Sequence, residues 1–153
     1  AKESCNATAA GLTADIKSVE ALLGDRTIDN TMEGAKKRIA DFYHYKETMK
    51  NTLLGRQLEL EGTYNNLAMR LSHHKRPPFQ PPEHLSLKGI AKTLSELEVA
   101  EQERKVALHA ELNRQIKLVQ TDNQHQRRTD KVKAWAAQKS EYLALRYVFV
   151  FTI

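Results

Sequence analysis

Apolar side chains, or polar ones with long apolar stems, recur along residues 31–72 at steps that alternate between three and four. One four-four stutter near Leu53 locally unwinds a supercoil. The positions are Met32, Ala35, Ile39, Phe42, Lys46, Met49, Leu53, Gln57, Leu60, Tyr64, Leu67 and Leu71. This spacing predicts one helix over residues 31–73, which would be roughly 60 Å long at about 1.5 Å per residue. A helix of that length is one member of an elongated bundle, and its partners must lie elsewhere in the chain.

A second apolar stripe precedes this long helix. It comprises Cys5, Ala9, Leu12, Ile16, Val19 and Leu23, and it predicts a helix over residues 3–24. We expect Gly24 to end that helix in the left-handed conformation. Asp29 or Asn30 is the expected cap of the long helix, with Glu33 in its first turn. The short connection makes the two helices antiparallel neighbours.

The long helix ends at HHKRPPFQPP, residues 73–82, where four prolines exclude a continuing helix. We interpret this segment as a rigid corner, with Phe79 against the end of the bundle. One alternative is a polyproline ligand for an adaptor domain. Another is a metal site at His73 and His74, but neighbouring histidines on a helix point in different directions and no third ligand is near.

A third helix is predicted from near Glu83 or Ser86 to at least residue 120. Its stripe consists of Ile90, Leu94, Leu97, Leu108, Leu112, Leu118 and Val119. Polar residues occupy inward positions at Glu101, Arg104 and Gln115, so looser packing or salt bridges are expected there. Residues 121–128 contain no apolar side chain.

A new stripe begins after residue 128, with Val132, Trp135, Ala136 and Tyr142. No Pro or Gly follows Gly89, so we expect the third helix to continue as a rigid linker. The final segment, ALRYVFVFTI, favours an extended strand or an unfinished apolar segment.

These elements define an all-α fold, an elongated antiparallel three-helix bundle. The predicted organisation is a repeat over residues 1–128, with helices at 3–24, 31–73 and 84–128, followed by a second unit or linker over 129–153. The predicted core comprises Leu12, Ile16, Val19, Leu23, Met32, Ile39, Phe42, Met49, Leu53, Leu60, Tyr64, Leu67, Leu71, Ile90, Leu94, Leu97, Leu108 and Leu112.

Composition narrows the function classes. The chain of 153 residues has 6 Gly, 4 Pro and 28% charged residues, which suits a helical bundle. The single cysteine, Cys5, excludes an internal disulfide and points to a reducing, intracellular compartment. No apolar run reaches the length of a membrane span and no signal-peptide pattern occurs, so a soluble protein is expected.

The net charge of +5 raises the question whether the chain binds nucleic acid. The densest basic patch, Arg127, Arg128, Lys131 and Lys133, lacks the interleaved aromatic residues and glycines of RNA-binding segments. We interpret it as a solvated helix face and expect no nucleic-acid partner.

No catalytic constellation is visible in the sequence. His44, His109 and His125 have no nearby nucleophile, and Cys5 has no basic neighbour that would favour its thiolate. The acidic residues at 96, 98, 101 and 103 are spread around a helix surface, where solvated charge is the usual role. We therefore expect no enzyme, no cofactor and no metal site in this segment.

Three segments resemble the first rod repeat of alpha-actinin, the actin-crosslinking member of the spectrin family. They are DNTMEGAKKRIADFYHYKETMK, the corner RLSHHKRPPFQPP and KVKAWAAQKSEYL, in the same order and at about the same spacing, and the likeness spans roughly residues 16–143. The resemblance implies a spectrin-like repeat, with Trp135 as the signature of a second repeat. The first helix departs from the family, because Asp15 stands where its tryptophan is expected. No EF-hand loop pattern occurs.

The resemblance also implies a cytoplasmic, cytoskeletal role. In this hypothesis the chain is a structural spacer that pairs with itself as an antiparallel homodimer. It would hold actin-binding ends at a fixed separation, with the actin-binding domains and calcium-binding EF-hands elsewhere in a longer protein. The alternative is a helical adaptor that captures a signalling partner or membrane lipid through the proline corner or the basic helix face. Self-association distinguishes the two, since a spacer should dimerise by itself.

Overall fold

The computed structural model describes residues 2–152 and is 87% helical, with no strand in that range. Helix α1 is Lys2–Leu23 and helix α2 is Met32–Tyr45. A π-helical segment, Lys46–Lys50, joins α2 directly to helix α3, Asn51–His73. A 3-10 turn at Glu83–Leu85 precedes helix α4, Leu87–Phe151. The predicted all-α fold is confirmed.

The chain divides into two compact units between Leu112 and Asn113, within the residue range of α4. We call them the N-terminal unit and the C-terminal unit. This division reflects contacts inside each unit. It does not test the repeat boundary expected near residue 128, which stays a prediction.

The helices of the N-terminal unit are antiparallel neighbours. Cys5, in the first turn of α1, packs with Leu67 and Leu71 near the end of α3. Just before α4, the carbonyl of Leu85 accepts a hydrogen bond from the Tyr64 hydroxyl of α3, and farther along, Glu101 of α4 contacts Tyr45 at the end of α2. The continuous run from α2 to α3 therefore returns along α1, and α4 returns along that run, as the short connections require.

The core of this unit draws apolar residues from all of its helices. Among the predicted core residues, those buried are Leu12, Ile16, Val19, Leu23, Phe42, Leu53, Leu60, Tyr64, Leu67, Leu71, Ile90, Leu94, Leu97 and Leu108. Met32, Ile39 and Leu112 are only half-buried. Met49 is 46% exposed, so its assignment to the core was wrong. The π-helical segment is the reason, because it changes which side chains face inward at that point.

Two expectations about the connection from α1 to α2 were also wrong. The cap of α2 is Thr31, whose hydroxyl accepts a hydrogen bond from the amide of Gly34 at 3.0 Å. Asn30 instead takes the left-handed conformation, with φ of 51°. Gly24, which follows α1, does not adopt a positive φ. The left-handed residue of this connection is thus an asparagine, one of the few residues other than glycine that tolerate the conformation.

The corner after α3 holds the other positive φ, at Lys75. The amide of Arg76 donates to the carbonyl of Leu71 at 2.9 Å, the bond that closes a Schellman motif. Phe79 stacks on Tyr64, with ring centroids 5.7 Å apart, which confirms the expected packing of this residue against the bundle.

Close packing at the start of α4 requires a glycine. A β-carbon at Gly89 would lie 2.3 Å from the carbonyl oxygen of Glu83. Ser86 caps the helix, and its Oγ accepts from the Gly89 amide at 3.0 Å. Helix α4 thus begins at Leu87, just after the expected start.

The apolar segment near the C-terminus differs from expectation. We predicted an extended strand or unfinished segment, but the described residues are helical through Phe151. β-propensity reflects packing on a sheet surface, and no strand is available among residues 2–152 for this segment to pair with. Ile153 lies outside the described residues.

Candidate functional site

A buried carboxylate, Glu101, is the centre of a polar cluster inside the N-terminal unit. Its side chain is only 4% exposed. Glu101 Oε1 accepts a hydrogen bond from the Tyr45 hydroxyl at 2.8 Å, and Oε2 accepts one from Lys50 Nζ at 2.7 Å. Lys46 Nζ lies 3.6 Å from the same Oε2. At this inward polar position we expected either looser packing or salt bridges, and the structure has salt bridges.

The π-helical segment contains the two lysine partners of Glu101, and Tyr45 immediately precedes it. In a π-helical turn the backbone bonds to the fifth residue back, so a turn holds one more residue than in an α-helix. The extra residue turns Lys50 inward, leaving its side chain 16% exposed, while Met49 faces out. The apolar stripes of α2 and α3 therefore both face the core. The charged cluster forms a layer between their apolar layers.

Burial and the Glu101 hydrogen bond both raise the pKa of the Tyr45 hydroxyl well above its ordinary value, in that order of importance. The phenol is therefore a neutral donor to the carboxylate throughout the physiological range. Both Glu101 oxygens are engaged and closed to solvent. The arrangement is suited to fixing α4 against α2 and α3, and it leaves no open carboxylate for a substrate.

A second set of polar contacts organises the connection between α1 and α2. Arg38 forms a two-pronged pair with Asp29, at 3.0 and 3.2 Å, and this hydrogen bonding lowers the pKa of the Asp29 carboxyl. Asp25 accepts from the Thr27 hydroxyl and amide, which lowers its own pKa. Arg104 donates to the Asp25 carbonyl, and burial lowers the pKa of its guanidinium. The inward-facing Arg104 thus stabilises the connection between α1 and α2.

Beside the connection lies an open groove of about 430 Å³, with the exposed Leu22 and Met49 on its walls. Its charged lining is balanced, with Asp25, Asp29 and Asp41 against Lys37, Arg38 and Arg104. A groove without net charge does not select an anionic or a cationic ligand.

The histidines of the chain do not form a metal-binding cluster within residues 2–152. His44, His109 and His125 are exposed on helix surfaces. The rings of His73 and His74 are 5.3 Å apart, and within residues 2–152 no group of three His, Cys, Asp or Glu side chains could hold a metal ion. Cys5 is buried.

The proline corner is partly packed and partly open. Phe79 is covered on one side by Tyr64, and Lys2 Nζ lies 5.9 Å from the centre of its ring. Pro77, Pro78 and Pro82 are exposed.

The C-terminal unit leaves many of its apolar side chains exposed. Trp135, the residue assigned to a second repeat, is 60% exposed, and Val132 is 63% exposed. The neighbouring Arg127 and Arg128 are exposed as well. Gln115 is buried at 4%. Among the described residues, no helix is long and apolar enough to cross a membrane.

Sequence reasoning missed the roles of Tyr45 and Lys50. Both lie beside the one irregular step of the apolar stripe, near Leu53, which we interpreted only as a local unwinding. A stutter next to a tyrosine and two lysines, opposite an inward glutamate on another helix, is the signal that could have located this cluster.

No family model matches the chain, but individual curated proteins do. Alpha-actinin A of Dictyostelium discoideum is 36% identical over 128 residues, 84% of this chain and 15% of the relative. The spectrin beta chain of Drosophila melanogaster is 28% identical over 80% of this chain and 5% of the relative. An alpha-actinin of Dermatophagoides farinae is 29% identical over 79% of this chain and 14% of the relative. The chain thus spans at most about a seventh of each of these relatives.

The matched region covers most of the helical bundle described above, with its long helices and proline corner. The resemblance to the alpha-actinin and spectrin family is therefore confirmed: curated homologues of this chain are alpha-actinins and a spectrin beta chain, matching about 80% of its length at 26–36% identity, as expected of a spectrin-repeat rod domain.

Proposed function

We propose that the chain is a rod segment of a cytoskeletal protein, acting as a spacer and as a surface for self-association. The observation that carries this proposal is the homology to alpha-actinins over 79–84% of the chain. The relatives are cytoskeletal structural proteins, which supports a role without catalysis. By analogy with the alpha-actinins, actin filaments would be bound by domains of a longer protein.

The mechanism is geometric. Helical bundles keep their length because each helix is fixed along its neighbours, and the Glu101 cluster supplies such a fixed point between α4 and the π-helical segment. A uniform helix without Pro or Gly after Gly89 favours a stiff connection to a following repeat. Antiparallel pairing of two copies would then set the separation and polarity of the actin-binding ends.

Self-association is the first test. Sedimentation equilibrium at micromolar concentration should give twice the 17.5 kDa mass of the chain. A single species of 17.5 kDa across the whole range would argue against a dimerising rod segment.

Stiffness of the connection is the second test. Gln124→Pro removes an intrahelical hydrogen bond and creates a clash with the preceding turn, at a cost of about 3 kcal/mol or more. We expect the core of the N-terminal unit to stay folded while small-angle X-ray scattering detects bending. An unchanged scattering profile with reduced local helicity would mean that no rigid continuous helix existed there.

The alternative function is an adaptor that binds a partner through the exposed prolines of the corner. Pro77, Pro78 and Pro82 are accessible, and the backbone of Pro82, at φ of −51° and ψ of 145°, lies near the polyproline conformation. A chain that stays monomeric but binds a proline-recognition domain would favour this role over the spacer.

A further inference from the structure

The net charge of the molecule comes from one of its two units. Residues 1–112 carry 16 basic and 16 acidic side chains, whereas residues 113–153 carry 8 basic and 3 acidic ones. The whole net charge of +5 therefore belongs to the C-terminal unit. None of the ion pairs found within residues 2–152 includes the basic side chains of this unit between 127 and 146.

These unpaired charges cluster in the sequence. We define the basic band as Arg127, Arg128, Lys131, Lys133 and Lys139. One acidic residue, Asp130, lies within it, and its Oδ1 accepts a hydrogen bond from Gln126 Nε2 at 2.9 Å. A band of this kind is attracted to a surface with a high density of negative charge.

An apolar segment follows the basic band on the same helix. It comprises Tyr142, Leu143, Leu145, Tyr147, Val148, Phe149, Val150 and Phe151, each between 55% and 77% exposed. Tyr147 and Phe151 contact each other, with ring centroids 4.7 Å apart. We call these residues the apolar end of α4.

The apolar end is apolar on every side of the helix. Successive residues of an α-helix are turned by about 100°, so the five consecutive residues 147–151 point around its whole circumference. A helix in a bundle requires an apolar stripe on one side only, whereas a helix that is apolar all round requires an apolar environment on all sides. One partner helix would leave much of this segment in water.

We propose that the basic band and the apolar end together bind an anionic lipid bilayer. The apolar end enters the boundary between headgroups and acyl chains, and the basic band lies along the negatively charged headgroups. Trp135 lies within the range of the basic band and Tyr142 begins the apolar end, and amphipathic rings of this kind are enriched where membranes meet water. Arg146, inside the apolar end, is long enough to extend its guanidinium back to the headgroups.

The insertion is shallow. About ten residues of helix span roughly 15 Å, half of the hydrocarbon thickness of a bilayer. This agrees with the finding that no described helix could cross a membrane. A second copy of the same segment is a poorer occupant, because an isologous pair would bring two surfaces of the same positive sign together.

The chain contains an intrinsic probe for the test. Trp135 is its single tryptophan, and it is 60% exposed in the free protein. On addition of vesicles of phosphatidylcholine with phosphatidylserine, we expect its emission to move to shorter wavelength and the chain to float with the vesicles. Vesicles of phosphatidylcholine alone should bind much more weakly.

Two variants separate the parts of the site, and a third is the control. Arg127→Gln/Arg128→Gln/Lys131→Gln should weaken binding to the anionic vesicles about a hundredfold, at about a fivefold loss for each charge. Phe149→Ser/Phe151→Ser should abolish the emission shift. Lys17→Gln/Lys36→Gln/Lys88→Gln makes the same change of net charge on exposed residues of the N-terminal unit and should bind like the wild type.

Several outcomes would overturn the proposal. Absence of binding to either vesicle, or equal losses in the control and in the basic-band variant, would exclude a lipid site here. If Phe149→Ser/Phe151→Ser converted a dimer to a monomer in light scattering without any vesicle binding by the wild type, a second copy would be the true occupant. The proposal of lipid binding does not rest on the rod function. Sedimentation of the wild type without vesicles tests that function separately.

Discussion

The two units of this chain carry the same kind of apolar pattern but bury it very differently. In the N-terminal unit, Leu12, Ile16 and Leu97 are 0% exposed. In the C-terminal unit, Trp135 and Leu143 are 60% and 62% exposed, although they too repeat at helical spacing. A helical period therefore predicts that a helix forms, but it does not identify the surface that covers it.

Polar residues on the stripes show the same contrast. Glu101 of the N-terminal unit is matched by a tyrosine and two lysines from the preceding helices. Lys139 of the C-terminal unit lies over the ring of Tyr142, with its Nζ 5.9 Å from the ring centroid. The first unit thus satisfies the charge of Glu101 internally, whereas Lys139 of the second unit is exposed.

The largest effect is expected at Glu101. Glu101→Ala leaves Lys50 buried without its carboxylate and Tyr45 without its acceptor, and we expect a loss of about 3–5 kcal/mol of unfolding free energy. The triple variant Tyr45→Phe/Lys50→Met/Glu101→Leu removes all three groups and should be neutral or more stable than wild type. Urea denaturation measures both. If Glu101→Ala lowered the unfolding free energy no more than a surface substitution does, the cluster would have no structural role.

A pair of leucines measures the difference in burial directly. Leu97→Ala should cost about 2–5 kcal/mol, because it removes contacts and leaves a cavity in a close-packed core. Leu143→Ala, the same chemical change on the exposed helix, should stay within about 0.5 kcal/mol of wild type. Equal losses in chemical denaturation would mean that Leu143 is covered in the free chain.

Two glycines provide a test with opposite signs. Gly89→Ala places a methyl group against the Glu83 carbonyl and should destabilise by about 1–3 kcal/mol. No atom lies within 4 Å of a β-carbon at Gly62, in the interior of α3, so Gly62→Ala should stabilise by about 0.5–1 kcal/mol. Thermal unfolding should therefore shift down for the first variant and up for the second.

The smallest effect appears only in alkali. The pKa of Tyr45 is raised in the folded state, so above its ordinary value of 10.0 the unfolded chain loses this proton while the folded chain keeps it. The folded state then binds more protons, and stability must fall as pH rises above about 10. Tyr45→Phe should reduce this slope in urea titrations at several pH values. A slope that is unchanged in this variant would exclude Tyr45 as its source.

Much of the fold followed from the sequence, because long stripes determine helices and proline clusters determine corners. The exposed Met49 could not be foreseen, since a π-helical turn depends on what the opposite helix offers, here the carboxylate of Glu101. The helical form of the apolar end could not be foreseen either. Its β-branched and aromatic residues favour strands, but only where a sheet surface exists.

Hydrogen exchange across the whole chain tests the contrast between the units most directly. Opening free energy follows buried apolar contacts, and residues 121–128 have no apolar side chain while Phe42 and Leu60 are core residues. With the chain held monomeric, as verified by light scattering, amides of residues 121–128 should exchange much faster than those near Ile39, Phe42, Leu60 and Leu67. Uniform protection across both sets would contradict the account, because it would show that the C-terminal unit is stabilised as well as the closed core.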